Sequence, residues 1–151
     1  MTEKIRRVRL SDLDNLMKLL FQLHKKKEAD EKISRKRLSV VLKKMLNDKN
    51  LFLAVYQDSG GLAGTATLFI HTNLTSEGKS RGCIENVVID KNSRGKGIGK
   101  KLVTYLIDEA KKRDCYRVFL DCTKQNIRFY EKCGMIRCPV RDVEMIKDLE
   151  Q

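Results

Sequence analysis

The apolar positions of this 151-residue chain change period repeatedly, and the changes mark out its elements. Residues 5–10 alternate, with Ile5, Val8 and Leu10 set against Arg6, Arg7 and Arg9, and predict a first strand. The period then lengthens. Leu13, Leu16, Met17, Leu20 and Leu23 share one face of a helix ending near His24, with Ser11 placed as its N-cap and Asp12 and Asp14 in the first turn. A charged connection at 25–32 follows. Ser34 then opens a second helix with the stripe Leu38, Val41, Leu42, Met45 and Leu46, stopped by residues 47–50. A continuous apolar run at 51–56 predicts a buried strand. Asp58, Ser59, Gly60 and Gly61 predict a hairpin turn, and 62–71 the return strand with a bulge at Gly64. The polar stretch 72–82 is long for a hairpin loop, hence mobile or functional. An apolar strand at 83–89 leads into a glycine-rich turn. Ile98, Leu102, Leu106 and Ala110, with Tyr105 beside them, then predict a helix to about Arg113.

Residues 115–121 predict another strand, and 127–133 a short helix closed by Gly134. A final strand is expected at 138–146, with Pro139 at its start. The order β-α-α-β-β-β-α-β-α-β predicts an α/β (α+β) fold with a mixed sheet, the glycine-turn helix and its flanking strands forming a βαβ crossover. No repeat, low-complexity tract or linker interrupts it, so residues 1–151 are expected to form one domain.

Composition narrows the chemistry. A chain of this size buries roughly two-thirds of its unfolded surface. Hydrophobic content of 41% and charged content of 34% fit a soluble globular protein. No apolar run reaches membrane-span length, and the residues after Met1 lack an apolar signal region, so a cytosolic protein is expected. The net charge of +12 favours polyanions: nucleic acid, acidic membranes or phosphorylated small molecules. Its bland reading is a solvated basic surface. With 6% aromatic residues and no tryptophan, a base-stacking platform gains no support. Five cysteines, no C-x-x-C pair and two histidines predict no zinc site; three of the cysteines lie in apolar stretches and read as reduced core thiols.

The richest chemistry lies at 92–101, where Gly95, Gly97 and Gly99 alternate between a strand and a helix. Unpaired N–H groups at a helix N-terminus suit phosphate oxygens, and glycines let a ligand approach the backbone. Arg94, Lys96, Lys100 and Lys101 add positive charge. A nucleotide P-loop is excluded because Arg94 stands five before Gly99 and Lys101 follows Lys100. A dinucleotide fingerprint is excluded because Lys100 stands where its third glycine belongs. The spacing that fits is Arg-x-x-Gly-x-Gly over Arg94, Gly97 and Gly99. The turn therefore reads as a pyrophosphate cradle, against an ordinary glycine turn in a basic protein.

On a strand–turn–helix, Arg94-x-x-Gly97-x-Gly99 resembles the coenzyme A pyrophosphate loop of GNAT-superfamily N-acetyltransferases, and the predicted element order is also theirs. The segment 126–135, Asn-Ile-Arg-Phe-Tyr-Glu-Lys-Cys-Gly-Met, resembles their N-x-x-F/Y-Y-x-K-x-G-F signature. Within the superfamily the chain is most similar to the glucosamine-6-phosphate N-acetyltransferase family. The supporting segments are Ile-Glu-Asn-Val-Val at 84–88, Asp-Cys-Tyr-Arg-Val-Phe-Leu-Asp-Cys at 114–122 and Phe-Ile-His at 69–71. Similarity is dense from about Phe69 to Met135 and thin over the first fifty residues. Three features depart from that family: Asn86 stands where Asp is usual, the 72–82 loop is longer, and Leu23-His24-Lys25-Lys26-Lys27 replaces its L-T-x-V-G stretch, which helps cover the acceptor sugar.

The resemblance implies acetyl transfer from acetyl-CoA, as co-substrate and without metal, to the amine of glucosamine 6-phosphate, an early step toward UDP-N-acetylglucosamine. It implies that Arg94, Gly95, Lys96, Gly97, Ile98, Gly99 and Lys100 hold the pyrophosphate. Val87, Val88 and Ile89 would run beside the pantetheine arm, with a backbone N–H near Val87 polarising the thioester carbonyl. Asn126 and Phe129 lie near the sulfur, and Tyr130 is the candidate general acid, a phenol roughly matched to an alkyl thiolate. Glu85 would hold the amine or relay its proton, with Asn86 orienting the amine or a sugar hydroxyl through its carbonyl oxygen. Tyr116, Arg117 and Asp121 would face the acceptor, Arg117 pairing with its phosphate. It also implies a homodimer in which the C-terminal strand and Arg137 or Arg141 reach the neighbour's site. For Tyr130 the bland alternative is a buried aromatic anchor, for Glu85 an exposed edge charge, and for Arg94 a surface charge. Two other functions stay open: a protein N-acetyltransferase with an open peptide groove, and, last, a non-enzymatic nucleic-acid-binding protein lacking any recognised motif.

Overall fold

A computed structural model describes residues 3–23, 34–139, 145, 147 and 149. The described chain divides at Asp121/Cys122 into two compact units. The first holds a five-stranded sheet: β1 (Lys4–Arg7), β2 (Leu51–Asp58), β3 (Gly61–His71), β4 (Ser80–Ile89) and β5 (Cys115–Phe119), in the order β1-β2-β3-β4-β5. The first four form an antiparallel meander, and β4 and β5 are parallel. Three helices accompany them: α1 (Leu13–Leu23), α2 (Arg35–Asn47) and α3 (Ile98–Lys112). The predicted mixed sheet is present, with α3 as the crossover.

Alternation along β2 divides the core. Leu51, Leu53 and Val55 pack with Val8, Leu13, Leu16 and Leu42 beneath α1 and α2. Phe52, Ala54 and Tyr56 face the other side, where the Phe52 and Tyr105 rings of β2 and α3 lie 6.1 Å apart. α3 buries Ile98, Gly99, Leu102, Val103, Leu106 and Ala110, the predicted stripe plus two residues. On α2, however, Val41 is 44% exposed while Leu42 is buried, so the stripe is narrower than predicted; on α1, Leu19 joins it.

The N-terminal strand stops at Arg7, short of the predicted end. Residues 10–12 form a 3-10 turn instead, and Ser11 is not the cap. The Asp12 carboxylate accepts the Arg9 N–H at 2.7 Å and a two-pronged bond from Arg6 at 2.6 and 2.9 Å. The Arg6 guanidinium is the main cause that holds the Asp12 carboxyl below its usual range. Ser34 does stand at the N-cap of α2, without a side-chain bond. The bulge between β2 and β3 falls on Ala63, since Tyr56 pairs with Gly64 and Gln57 with Leu62. Gly64 serves close packing: a Cβ there would meet Ile89 Cδ1 at 2.7 Å and Leu102 Cδ1 at 3.0 Å. The polar loop is shorter than predicted because β4 begins at Ser80, pairing His71 with Arg81.

The second unit holds α4 (Ile127–Glu131), shorter than the predicted 127–133, after a 3-10 turn at Lys124–Asn126. Gly134 closes it at φ 85°, its N–H donating to the Glu131 carbonyl at 3.0 Å. Of the predicted final strand, Cys138 and Pro139 are not in a strand; positions 140–144 and 146, including Arg141, lie outside the described residues, as do His24 and the 25–32 connection.

Candidate functional site

The glycine turn sits between β4 and α3. Asp90 opens it, its Oδ1 accepting the Asn92 N–H at 2.9 Å, and a short 3-10 turn spans Lys91–Ser93. Gly95 and Gly97 adopt φ of 79° and 75°, a left-handed conformation costly for residues with a Cβ. Gly97 is the N-cap of α3 and has no side chain with which to cap it. The first helical bond at this end runs from the Lys101 N–H to the Gly97 carbonyl at 3.1 Å. The N–H groups of Ile98, Gly99 and Lys100 therefore precede the intrahelical ladder, the condition of an anion-binding helix terminus. No Cβ at Gly95 or Gly97 would meet any atom within 4 Å, so the cradle opens outward.

The predicted cradle residues divide by role. Ile98 and Gly99 are buried, so they can offer a ligand only backbone. Lys96 and Lys100 are exposed. Arg94 turns back, its Nε donating to the Ile89 carbonyl at 3.2 Å, and so ties the loop to the strand end. Lys101 is committed to Glu3 at 3.2 Å and stands over the Tyr56 ring; Tyr56 in turn donates to Glu3. One residue that grips the loop carries no mark in the sequence. Gln22, on α1, donates to Asp90 Oδ2 at 2.9 Å and accepts the Lys91 N–H at 3.1 Å. That bond, followed by the Asn92 N–H, lowers the Asp90 carboxyl pKa. A glutamine near a helix end carries no sequence signal for such a contact.

β4 itself is irregular where the predicted chemistry lies. Thr65 pairs with Val88 and Thr67 with Glu85, so Asn86 and Val87 together oppose Ala66. This is a β-bulge, and Asn86 occupies φ 53°. Asn tolerates that region better than most residues. A bulge leaves one residue's backbone out of the ladder, here between Glu85 and Val88. On its other edge β4 loses its partner: the last parallel pair is Cys83 with Phe119. From Ile84 to Ile89 that edge has no strand beside it among the described residues, leaving backbone groups for an added strand-like ligand.

Register also assembles side chains. Glu85, Cys83 and Arg81 alternate on the β4 face shared with Phe69, which packs toward α1 and α2. Cross-strand pairing puts His71 and Arg117 in the same row as Arg81. Arg81 lies 4.8 Å over the Phe119 ring, and the His71 ring meets that ring edge-on at 5.9 Å. Glu85 accepts the Cys83 thiol at 3.6 Å; burial first, then the Glu85 charge, pushes that thiol up to about 12. Of the predicted acceptor residues, Glu85 and Arg117 thus share a face. Tyr116 alternates to the opposite face, yet the Arg117 guanidinium stands 5.7 Å over its ring at the exposed edge. Asp121 lies beyond the end of β5 and is exposed. His71 and Arg81 were missed as a pair; their signal is strand parity with Cys83 and Glu85, hidden when the strand is begun at residue 83.

In the second unit, Asn126 is exposed at the head of α4 and makes no side-chain cap. Phe129 and Tyr130 pack edge-to-face, ring centroids 4.8 Å apart. The Tyr130 carbonyl accepts the N–H groups of Cys133 at 2.9 Å and Met135 at 3.1 Å, fixing the helix end. Burial, with smaller contributions from Cys122 and Cys133, pushes the half-buried Tyr130 phenol up to about 12. Among the described residues no group of His, Cys, Asp or Glu is arranged to hold a metal ion.

The model of the acetyltransferase (GNAT) family matches residues 13–135. The chain is 35% identical over 136 residues to glucosamine 6-phosphate N-acetyltransferase of Arabidopsis thaliana, covering 89% of this chain and 90% of that one. It is 39% identical over 79 residues to glucosamine 6-phosphate N-acetyltransferase of Trypanosoma brucei brucei, covering 52% and 54%. The crystal structure of the Arabidopsis thaliana enzyme superposes with a TM-score of 0.86 at 30% identity, covering 99% of this chain and 100% of that one.

Proposed function

The chain belongs to the acetyltransferase (GNAT) family, and on that premise we propose that it transfers the acetyl group of acetyl-CoA to the amino group of glucosamine 6-phosphate. The residues present fit the donor. The glycine cradle offers backbone N–H groups to a pyrophosphate, and the open edge of β4 at Ile84–Ile89 offers backbone to the pantetheine amides. The observation that carries the acceptor is the row on one face of β4: a carboxylate, Glu85, at one end and His71, Arg81 and Arg117 at the other. Glu85 and Arg81 stand about 13 Å apart along the strand, a span that two long side chains close onto a hexose with an amine at one end and a phosphate at the other.

In this reading the Glu85 carboxylate holds the substrate ammonium and passes its proton to water, leaving the neutral amine. Asn86 orients the amine through its side-chain oxygen. The amine nitrogen attacks the thioester carbon. A backbone N–H in the Asn86–Val87 bulge receives the charge that gathers on oxygen. The C–S bond breaks, the departing thiolate takes the proton of the Tyr130 phenol, and the nitrogen gives up its surplus proton, which returns through water to the phenolate. Products are the N-acetylated sugar phosphate, which serves UDP-N-acetylglucosamine synthesis in the cytosol, and coenzyme A. We propose further that the enzyme works as a homodimer; light scattering of the full chain tests this.

The deciding experiment is a thiol-release assay with acetyl-CoA against glucosamine 6-phosphate, unphosphorylated glucosamine and lysine peptides. The phosphorylated sugar should be turned over with the highest kcat/KM. Turnover of the peptide alone would sink the sugar reading, and no turnover of any amine together with no acetyl-CoA binding would sink the enzyme reading.

A further inference from the structure

The end of α3 remote from the cradle carries a second group of cations that acetyl transfer leaves unused. α3 runs about 22 Å from Ile98 to Lys112. Beyond that end, Arg7, Leu46, Asn47, Asp48, Lys49 and Arg113 line a cavity of about 350 Å³. The guanidinium carbons of Arg7 and Arg113 lie 5.7 and 5.4 Å from the centroid of one ring, Phe52. Like charges gathered on one ring repel. Neither has a carboxylate partner among the described residues. Asp48 sets one carboxylate against the three cations of the lining, and its Oδ1 is engaged by the Asn50 N–H at 2.7 Å.

The two arginines are held rather than free. Arg7 Nη2 donates to the Leu46 carbonyl at 2.8 Å, and Arg113 Nη1 to the Lys49 carbonyl at 2.9 Å. These bonds fix the guanidiniums without neutralising them. Arg113 Nε is buried and has no acceptor among the described residues. An anion in the cavity would meet the Nη donors that these two carbonyl bonds leave unspent, and its charge would offset the cost of holding two guanidiniums on one ring. We infer that this cavity binds a phosphate group, as free orthophosphate or as the phosphoryl end of a monoester, at a site separate from the cradle.

The test is a titration of the 15N-labelled full chain with inorganic phosphate and, in a second arm, glycerol 3-phosphate, at ionic strength held constant with chloride. Amide shifts at Lys49, Asn50 and Arg113 should saturate on a common curve, distinct from that of Gly95 to Gly99. Arg113→Gln should weaken that binding by about tenfold or more. Lys49 is exposed in a turn, so Lys49→Glu keeps the fold and should weaken it comparably, with the cradle's response unchanged in both variants. Tighter binding of glycerol 3-phosphate identifies a monoester site; tighter binding of phosphate identifies a site for the free ion. The inference is overturned if the shifts at Lys49, Asn50 and Arg113 fail to saturate, if chloride alone reproduces them, or if folded Lys49→Glu binds phosphate as the parent does.

Discussion

The proposed donor cradle and the proposed acceptor row adjoin the same strand and are built from different materials. The cradle at the end of β4 is almost entirely backbone: two left-handed glycines, an uncapped helix, and Ile98 and Gly99, both buried, which offer a ligand only their amides. The row on the face of β4 is side chains from three strands, set together by register: His71, Arg81, Cys83, Glu85 and Arg117. A backbone site depends on conformation, so few sequences satisfy it and its motif is local. A side-chain site depends on pairing across the sheet, and a slip of one residue would turn its members to the other face.

Tyr130 belongs to neither material and should give the largest effect. Tyr130→Phe removes the proposed proton donor and should lower kcat by about 100-fold or more with both KM values little changed. A phenol donates only in its neutral form, which predominates below its pKa. With that pKa pushed up to about 12, the loss of rate due to this group should come near pH 12 rather than 10. A fall with a midpoint near 10 that vanishes in Tyr130→Phe would contradict the burial of the phenol. Next comes the cradle. Gly97→Val forces a β-branched residue to φ 75°, and displacement of the α3 amides should cost about 100-fold in kcat/KM for acetyl-CoA. Unchanged kcat/KM in a folded variant would mean that the cradle's amides do not carry donor binding.

The same contrast explains what was legible in the sequence. Gly95 and Gly97 announce the cradle because only a few residues tolerate that backbone, and the α3 stripe announces the helix behind it. Arg81 and His71 stayed hidden because nothing local says that β4 begins at Ser80. The Asn86 bulge stayed hidden because a single Asn in a strand reads as an ordinary polar position. Gln22 stayed hidden because its partner Asp90 is 68 residues away. The early end of β1 follows from the Arg6–Asp12 pair, which a cap-and-period reading does not weigh against Ser11.

Arg81→Ala separates the two sites cleanly. Loss of a charge-assisted pair should raise KM for glucosamine 6-phosphate by about tenfold and leave that for acetyl-CoA alone. Unphosphorylated glucosamine should respond little. An equal loss with both sugars would place Arg81 outside phosphate recognition. Asn86→Asp should change turnover by less than about fivefold, since an orienting oxygen survives the exchange. A rise of orders of magnitude would show that a base is needed there.

The smallest effect tests whether the cradle is backbone alone. Gln22 grips it from another element, through Asp90 and the Lys91 N–H. Each bond is worth about 1 kcal/mol at most in this part-exposed setting, so Gln22→Ala should raise KM for acetyl-CoA by roughly threefold to fivefold and leave kcat unchanged. Gln22→Glu is the sharper variant. It sets a carboxylate against Asp90, whose own carboxyl then loses the bond that chiefly lowers its pKa. Two facing carboxylates repel when both are ionised, so the defect should exceed that of Gln22→Ala at neutral pH and relax as pH falls through the carboxylate range. Were Gln22→Glu no worse than Gln22→Ala at pH 7, Asp90 would not be the contact through which α1 positions the loop, and the cradle would stand on its own glycines.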